Sequence, residues 1–100
     1  MAINKTTVRD ILRQVYEGDR FFNTDGKIFS SLADFSVHIK DMPQEAFNYH
    51  CNSQKCDFAE WIDGVLHDTV LAKDIRKAKG VRAKIEKRID ERVVQLEKYL

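Results

Sequence analysis

The residues best suited to chemistry are concentrated in residues 47–72, which contain the only tryptophan, both cysteines and two of the three histidines. Thiolate and imidazole groups suit zinc, so His50, Cys51, Cys56 and His67 are candidate metal ligands. Structural zinc sites usually carry close pairs such as C-x2-C, whereas four residues separate the cysteines here. We therefore predict two free loop thiols, no bound metal and no other cofactor. His50, Cys51 and Cys56 remain the secondary metal candidates.

A catalytic interpretation of the same stretch is also open, with His50 as a general base oriented by a carboxylate. The simpler interpretation makes Asp57 and Asp68 helix N-caps, each worth about 1 kcal/mol, with His50 hydrogen-bonding across the loop between them. Each aspartate precedes an apolar stretch of helical spacing, which favours capping. We predict that His50, Asp57, Trp61 and Asp68 form a structural motif. No G-x-S-x-G, P-loop, H-E-x-x-H or dinucleotide-binding pattern occurs, and we predict no enzymatic activity.

Charge is distributed unevenly along the chain, although the formal net charge is only +1. Nine basic and four acidic residues give residues 72–92 a net charge of +5, while residues 34–68 carry −5. We expect a molecule with an acidic middle and a basic C-terminal third. Candidate nucleic-acid contacts are Lys73, Arg76, Lys77, Lys79, Arg82, Lys84 and Arg88. Glu86, Asp90 and Glu91 interrupt this run, and mixed charges are typical of a solvated helix face, so nucleic-acid binding is the alternative prediction.

The N-terminal segment predicts a helix that begins at a threonine. Thr6 or Thr7 can cap it, and Gly18 suits the position just past its end. Residues 1–5 are expected to be flexible. The predicted buried stripe is Val8, Ile11, Leu12, Val15 and Tyr16.

A short hairpin is predicted next. Phe21–Phe22 and Ile28–Phe29 flank Asp25-Gly26, which is typical of a tight turn between two strands. So small a ribbon is only marginally stable alone, so its phenylalanines are expected to pack on helices.

The middle of the chain predicts four short helices. Ser30 or Ser31 can cap the first, with Asp34 in the position of a capping-box partner. Proline is tolerated as a first helical residue, which places the next helix at Pro43–His50. Two more helices follow Asp57 and Asp68, and Gly80 marks the following break. The predicted core is Ile11, Leu12, Phe35, Phe47, Phe58, Trp61, Ile62, Leu71, Ile75, Ile85 and Ile89.

The last twenty residues give the clearest helix pattern, because residues 81–100 contain neither glycine nor proline. Apolar residues recur at steps of four and three, at Val81, Ile85, Ile89, Val93, Leu96 and Leu100. So narrow a stripe is compatible with a helix lying across the domain or with a short coiled coil.

Three spaced motifs resemble a family of small helical domains from archaea and bacteria whose function is unknown. They are F-x-Y-H at Phe47–His50, D-F-x-x-W-I at Asp57–Ile62 and V-x-x-D-x-x-L-A at Val65–Ala72. The resemblance covers roughly residues 21 to 98 and implies a helical fold without implying an activity. The family pattern has other residue types at Cys51 and Cys56, so it implies no shared metal or redox role for them.

Composition completes these expectations. A hydrophobic fraction of 43% with 33% charged residues is ordinary for a globular domain, and no segment approaches the ~20 apolar residues of a membrane span. We predict one mainly α domain over residues 1–100, a compact bundle of about five or six helices with a short β-hairpin near residues 21–29 and a long C-terminal amphipathic helix. No secretion signal is recognisable, so we expect a cytoplasmic protein.

The predicted function is a small non-enzymatic protein-interaction or accessory module. Its partner would be another protein, or a second copy bound through the C-terminal helix. Nucleic-acid binding through residues 73–92 is the alternative, and a metal or enzymatic site around His50 and Cys51/Cys56 is the less favoured one. No membrane partner is expected.

Overall fold

The structure is a computed structural model that describes residues 3–100. Within this range the chain forms six α-helices and one two-stranded antiparallel hairpin. Their order is α1 (Lys5–Leu12), β1 (Phe21–Phe22), β2 (Ile28–Phe29), α2 (Leu32–His38), α3 (Gln44–His50), α4 (Asp57–Gly64), α5 (Thr69–Lys77) and α6 (Arg82–Glu97). Single 3-10 turns occur at Glu17–Asp19 and Ile39–Asp41. This confirms the predicted mainly α fold with one short hairpin and a long C-terminal helix.

The first helix is shorter than predicted and begins earlier. Asn4 is its N-cap, and the Asn4 side chain accepts a hydrogen bond of 2.9 Å from the Thr7 amide. The prediction of a threonine cap is therefore wrong. Asn4 and Lys5 belong to the helix start, whereas Met1 and Ala2 lie outside the described residues. The chain leaves helical geometry after Leu12, and the Val15 amide then donates to the Ser30 carbonyl at 2.8 Å.

That early end changes the predicted stripe. Val15 remains buried because it packs in the core from an extended segment, but Tyr16 is 86% exposed. Gly18 lies within a 3-10 turn at Glu17–Asp19 and does not close α1.

The hairpin forms where Asp25-Gly26 predicted it. Phe21 pairs with Phe29 and Phe22 with Ile28, and Gly26 adopts a φ of +93° that favours glycine. Phe21 and Phe29 face the core with their ring centroids 6.0 Å apart. The hairpin is thus held by helices packed beneath it, as expected for a two-stranded ribbon.

The predicted boundaries of the middle helices are largely confirmed. Ser31 caps α2 by accepting from the Asp34 amide at 3.1 Å, and the Asp34 carboxylate accepts from the Ser30 amide at 3.0 Å. This reciprocal arrangement is a variant of the capping box. Pro43 immediately precedes α3, where its fixed φ is compatible with a helix start.

One apolar cluster extends through the whole structure. Phe35, Phe47 and Phe58 are fully buried at its centre, and Trp61 is 7% exposed. The Trp61 indole donates to the Asp19 carbonyl at 2.8 Å, which satisfies its only polar atom. The Cα radius of gyration is 12.7 Å, close to the ~13 Å typical of a folded domain of this length. Of the predicted core, only Leu12 is half-buried.

The C-terminal helix lies across the domain. Ile85, Ile89 and Leu96 are fully buried, and α6 packs against α1, α2 and α5. Val81 and Leu100, at the ends of the predicted stripe, are 45% and 62% exposed. The apolar stripe of α6 is buried within the chain's own core, so it does not provide an exposed apolar surface for a coiled coil. None of the helices in residues 3–100 is long and apolar enough to span a bilayer.

Candidate functional site

The segment joining α3 to α4 folds back on itself as a miniature hairpin, here called the α3–α4 loop (residues 50–57). Its innermost link is a 2.8 Å hydrogen bond from the Asn52 amide to the Lys55 carbonyl. Cys51 and Cys56 come next, opposed as an antiparallel β-bridge and joined by a disulfide. The outermost link joins His50 Nδ1 to Asp57 Oδ2 at 3.0 Å. Three nested links therefore hold the two helix ends together.

The disulfide corrects the prediction of two free thiols. Spacing alone left the cysteines in an irregular loop, but the loop folds so that Cys51 and Cys56 stand directly opposite each other. Bonded sulfurs are not the thiolates that zinc requires. No group of three or more metal-ligating His, Cys, Asp or Glu side chains occurs within residues 3–100. His67 is separated from this loop and lines a different cavity.

His50 is 6% exposed, and both of its ring nitrogens are hydrogen-bonded. The Thr24 backbone amide lies 3.1 Å from Nε2, and an amide can only donate, so Nε2 is the acceptor. Nδ1 then carries the proton and donates to Asp57. This pair resembles a carboxylate-oriented base, but the lone pair that would abstract a proton is already bonded to the hairpin. The geometry suits a structural tie between Thr24, α3 and α4.

Asp57 does not cap α4 as predicted. It is the first residue of the helix, Cys56 is the N-cap, and no side-chain capping bond forms at this start within the described chain. The Asp57 carboxylate turns instead to His50 and to Lys55 Nζ, the latter at 3.3 Å. The predicted bond from His50 across the loop is thus present.

Asp68 does cap α5, because its Oδ1 accepts from the Leu71 amide at 3.1 Å. It also has a partner that the sequence did not indicate. Arg92 of α6 donates to Asp68 through Nε at 2.8 Å and through Nη2 at 2.9 Å. Asp68 is 1% and Arg92 5% exposed, so this is a buried, two-pronged ion pair that fastens α6 to the start of α5.

The charge separation predicted along the sequence is reduced in the fold by ion pairs between its two parts. Arg76 pairs with Glu60 at 2.8 Å and Asp63 at 3.1 Å, and Asp68 is bound by Arg92. The hydrogen bonds to Glu60 and then Asp63 raise the pKa of the Arg76 guanidinium above its ordinary value. The acidic middle and the basic C-terminal third therefore neutralise each other in part, through Arg76 and Arg92.

Two further arginines of the nucleic-acid prediction are also engaged inside the molecule. Arg82 donates to the Ile39 and Met42 carbonyls at 2.6 and 2.7 Å, and its Nε contacts Glu86 at 3.1 Å. Its guanidinium also lies 5.1 Å from the centre of the Phe47 ring. Arg88 pairs with Asp74 of α5 at 2.7 Å. These side chains hold helices together and are poorly placed to bind phosphate.

Lysines of the same segment behave differently. Lys73 and Lys77 are one turn apart on α5, and Lys84 and Lys87 are one turn apart on α6. All four are exposed, and none forms an ion pair with any residue between 3 and 100. The Asp74–Arg88 pair joins α5 to α6, and the four exposed lysines on these two helices are here called the lysine surface. Lys87 was not among the predicted contacts, although its spacing from Lys84 could have indicated it.

The α3–α4 loop meets the turn between α5 and α6 at Gly80. This glycine has a φ of +81°, and a Cβ built on it would lie 2.6 Å from two backbone atoms of Asn52. Only glycine permits so close an approach. A cavity of about 380 Å³ lies beside this contact, lined by the loop and by Glu60, Arg76 and Lys79. Lys79, another predicted nucleic-acid contact, thus lies at the cavity and outside the lysine surface.

Comparison with known proteins yields no matching family model, no matching curated protein and no matching solved structure. The resemblance carried by the three motifs therefore stays a prediction.

Proposed function

We propose that this chain is a small non-enzymatic interaction module that binds an acidic protein segment through the lysine surface. The observation that carries the proposal is the group of four exposed lysines without an ion pair in residues 3–100, in a segment whose arginines are all bound internally. Unpaired lysines leave positive charge available to a partner, whereas the paired arginines contribute little net charge. His50 and Asp68, by contrast, already have partners within the fold.

The lysine surface suits carboxylates on a partner because its four cations are exposed and form no ion pair within residues 3–100. Complementary charge of this kind accelerates association and selects among partners. The formal charge of the whole chain is only +1, so attraction is local to this surface. A short acidic segment matches that local extent better than a long polyanion.

Nucleic-acid binding is the second candidate, and the same four lysines support it. If each lysine neutralised one phosphate of a duplex, the logarithm of the association constant would fall with a slope of about −3.6 against the logarithm of salt concentration. That corresponds to roughly a hundredfold loss of affinity on a fourfold increase in salt.

The test is fluorescence anisotropy with three labelled probes: an acidic peptide rich in glutamate, a generic DNA duplex and a single-stranded RNA. We expect the peptide to bind at low salt and to weaken as salt screens the lysines. The variant Lys77→Glu/Lys84→Glu should abolish that binding. The matched control is Lys5→Glu/Lys27→Glu, which makes the same change in net charge at two other exposed lysines.

This assay distinguishes the two candidate functions. Peptide binding lost in the first variant and kept in the control supports the proposal. Equal losses in both variants, or no peptide binding at low salt, contradict it. Tighter binding of DNA or RNA than of the peptide, with the steep salt dependence above, would favour the second candidate instead.

A further inference from the structure

The two cysteines of the α3–α4 loop differ sharply in environment. Cys51 is fully buried at the end of α3, whereas Cys56 is half-buried and lines the cavity of about 380 Å³. That volume falls within the range of pockets that hold small molecules, which begins near 300 Å³. One sulfur of the disulfide is therefore on the side open to a small reagent, and the other is enclosed by the core.

Cys56 also occupies the N-cap position of α4. The amide groups of a first helical turn carry partial positive charge, and a thiolate at such a position is stabilised. Lys55 precedes it, and Lys79 lies across the cavity. Lys55 is paired with Asp57, and Glu60 also lines the cavity, so it is the N-cap position and the partial exposure of Cys56 that would make it the more reactive thiol after reduction.

Contacts other than the disulfide also hold the loop. One hydrogen bond, Asn52 to Lys55, lies inside the disulfide, and another, His50 to Asp57, lies outside it. The close contact of Gly80 with Asn52 holds the loop from a third direction. Breaking the sulfur–sulfur bond therefore leaves the α3–α4 junction connected.

We propose that Cys51 and Cys56 are a reversible thiol–disulfide couple that exchanges with a low-molecular-weight thiol bound in this cavity. The thiolate of the small thiol attacks Cys56 Sγ, forming a mixed disulfide there, and the bond to Cys51 breaks with its electron pair on Cys51 Sγ, which takes up a proton. A second thiolate then attacks the sulfur of the bound small thiol, and Cys56 leaves as a thiolate. Two small thiols are thereby oxidised to one disulfide, and the protein gains two electrons and one proton, which is held on Cys51, while the second thiol proton passes to solvent. This couple is independent of the lysine surface.

The test uses the whole chain with reduced and oxidised glutathione as the probe thiol and disulfide. Reduced glutathione in excess should open the Cys51–Cys56 bond, and oxidised glutathione should restore it, as read by intact mass. Far-ultraviolet circular dichroism should keep its helical signal throughout. In the Cys51→Ser variant, oxidised glutathione should leave one glutathionyl group on Cys56.

The control is Cys56→Ser, whose buried Cys51 should form that adduct at least tenfold more slowly. If either variant fails to fold, the rates of iodoacetamide labelling in the reduced wild-type chain give the same comparison, with Cys56 expected to react at least tenfold faster. A disulfide that excess glutathione leaves intact overturns the proposal. So does loss of the helical signal on reduction, or equal reactivity of the two cysteines.

Discussion

Replacing Arg92 by methionine should be among the most destabilising single changes in this protein. Methionine keeps much of the volume of the side chain, but it leaves the Asp68 carboxylate, only 1% exposed, without its two charge-assisted hydrogen bonds. Removing one member of a buried ion pair typically costs about 3–5 kcal/mol. A domain of this length is stable by about 5–15 kcal/mol, so Arg92→Met should remove a large part of its free energy of unfolding.

The companion change is Asp68→Asn, which keeps an oxygen for the Leu71 amide and so preserves the cap of α5. It isolates the charge of Arg92 and should also cost about 3–5 kcal/mol. Asp68→Ala removes the cap as well and should cost about 1 kcal/mol more than Asp68→Asn. The double variant Asp68→Asn/Arg92→Met leaves neither charge unpaired, so it should lose no more than about 2 kcal/mol.

Urea unfolding, followed by the fluorescence of Trp61, the only tryptophan, measures the free energy of unfolding of the wild type and of each of the four variants. We expect a coupling energy of about 3 kcal/mol or more between the two positions. The reasoning is refuted if the double variant loses the sum of the two single losses, because the side chains would then act independently. It is equally refuted if Arg92→Met costs less than about 1 kcal/mol, the value expected of an exposed pair.

Three further substitutions test individual contacts by thermal unfolding. Trp61→Ala should cost about 3–5 kcal/mol, because it leaves a cavity and removes the hydrogen bond to the Asp19 carbonyl. Trp61→Phe keeps an aromatic ring and should cost clearly less. Equal losses would mean that ring volume is unimportant at this position. Gly80→Ala should cost about 2 kcal/mol or more, because residue 80 has a left-handed conformation and the new Cβ would clash with the Asn52 backbone. The control Gly64→Ala places its Cβ in open space and should be neutral or stabilising. Similar effects of the two changes would contradict the close contact. His50→Ala should cost about 2–3 kcal/mol, because it removes the hydrogen bonds that link Thr24 and Asp57 through the imidazole. His38 is half-exposed, so the control His38→Ala should cost less than about 1 kcal/mol. The reverse order would show that the two hydrogen bonds of His50 contribute nothing to stability.

Much of the fold could be predicted because its determinants are local. Asp25-Gly26 favours a turn because Gly26 can adopt a positive φ, Pro43 cannot continue a helix, and Gly80 also supplies a positive φ. The spacing of apolar residues likewise identified the buried face of each helix. Even the error at α1 was local in origin, since Asn4, Thr6 and Thr7 are all residue types that cap helices, and the apolar stripe that begins at Val8 does not decide among them.

The candidate site was harder to predict, because its contacts join residues that are far apart in sequence. The amide of Thr24 reaches His50 across 26 residues, and Arg92 reaches Asp68 across 24. An amphipathic pattern specifies which face of a helix is buried, but it does not specify which residue of another helix lies opposite. The disulfide was missed for a related reason, since the pairing of Cys51 with Cys56 depends on the loop folding back in one register.

The basic segment, residues 72–92, nevertheless separates by residue type, because its arginines and its lysines have different roles that a count of charges does not reveal. All four arginines between residues 72 and 92 form ion pairs, while none of the five lysines there does so within the described chain. The planar guanidinium gives several fixed donors to carboxylates and carbonyls and is weakly hydrated, so it suits buried junctions such as those of Arg82 and Arg92. The ammonium group of lysine is more strongly hydrated and stays in solvent. A segment of net charge +5 therefore contains two sets of cations, one that assembles the fold and one that remains available to a partner.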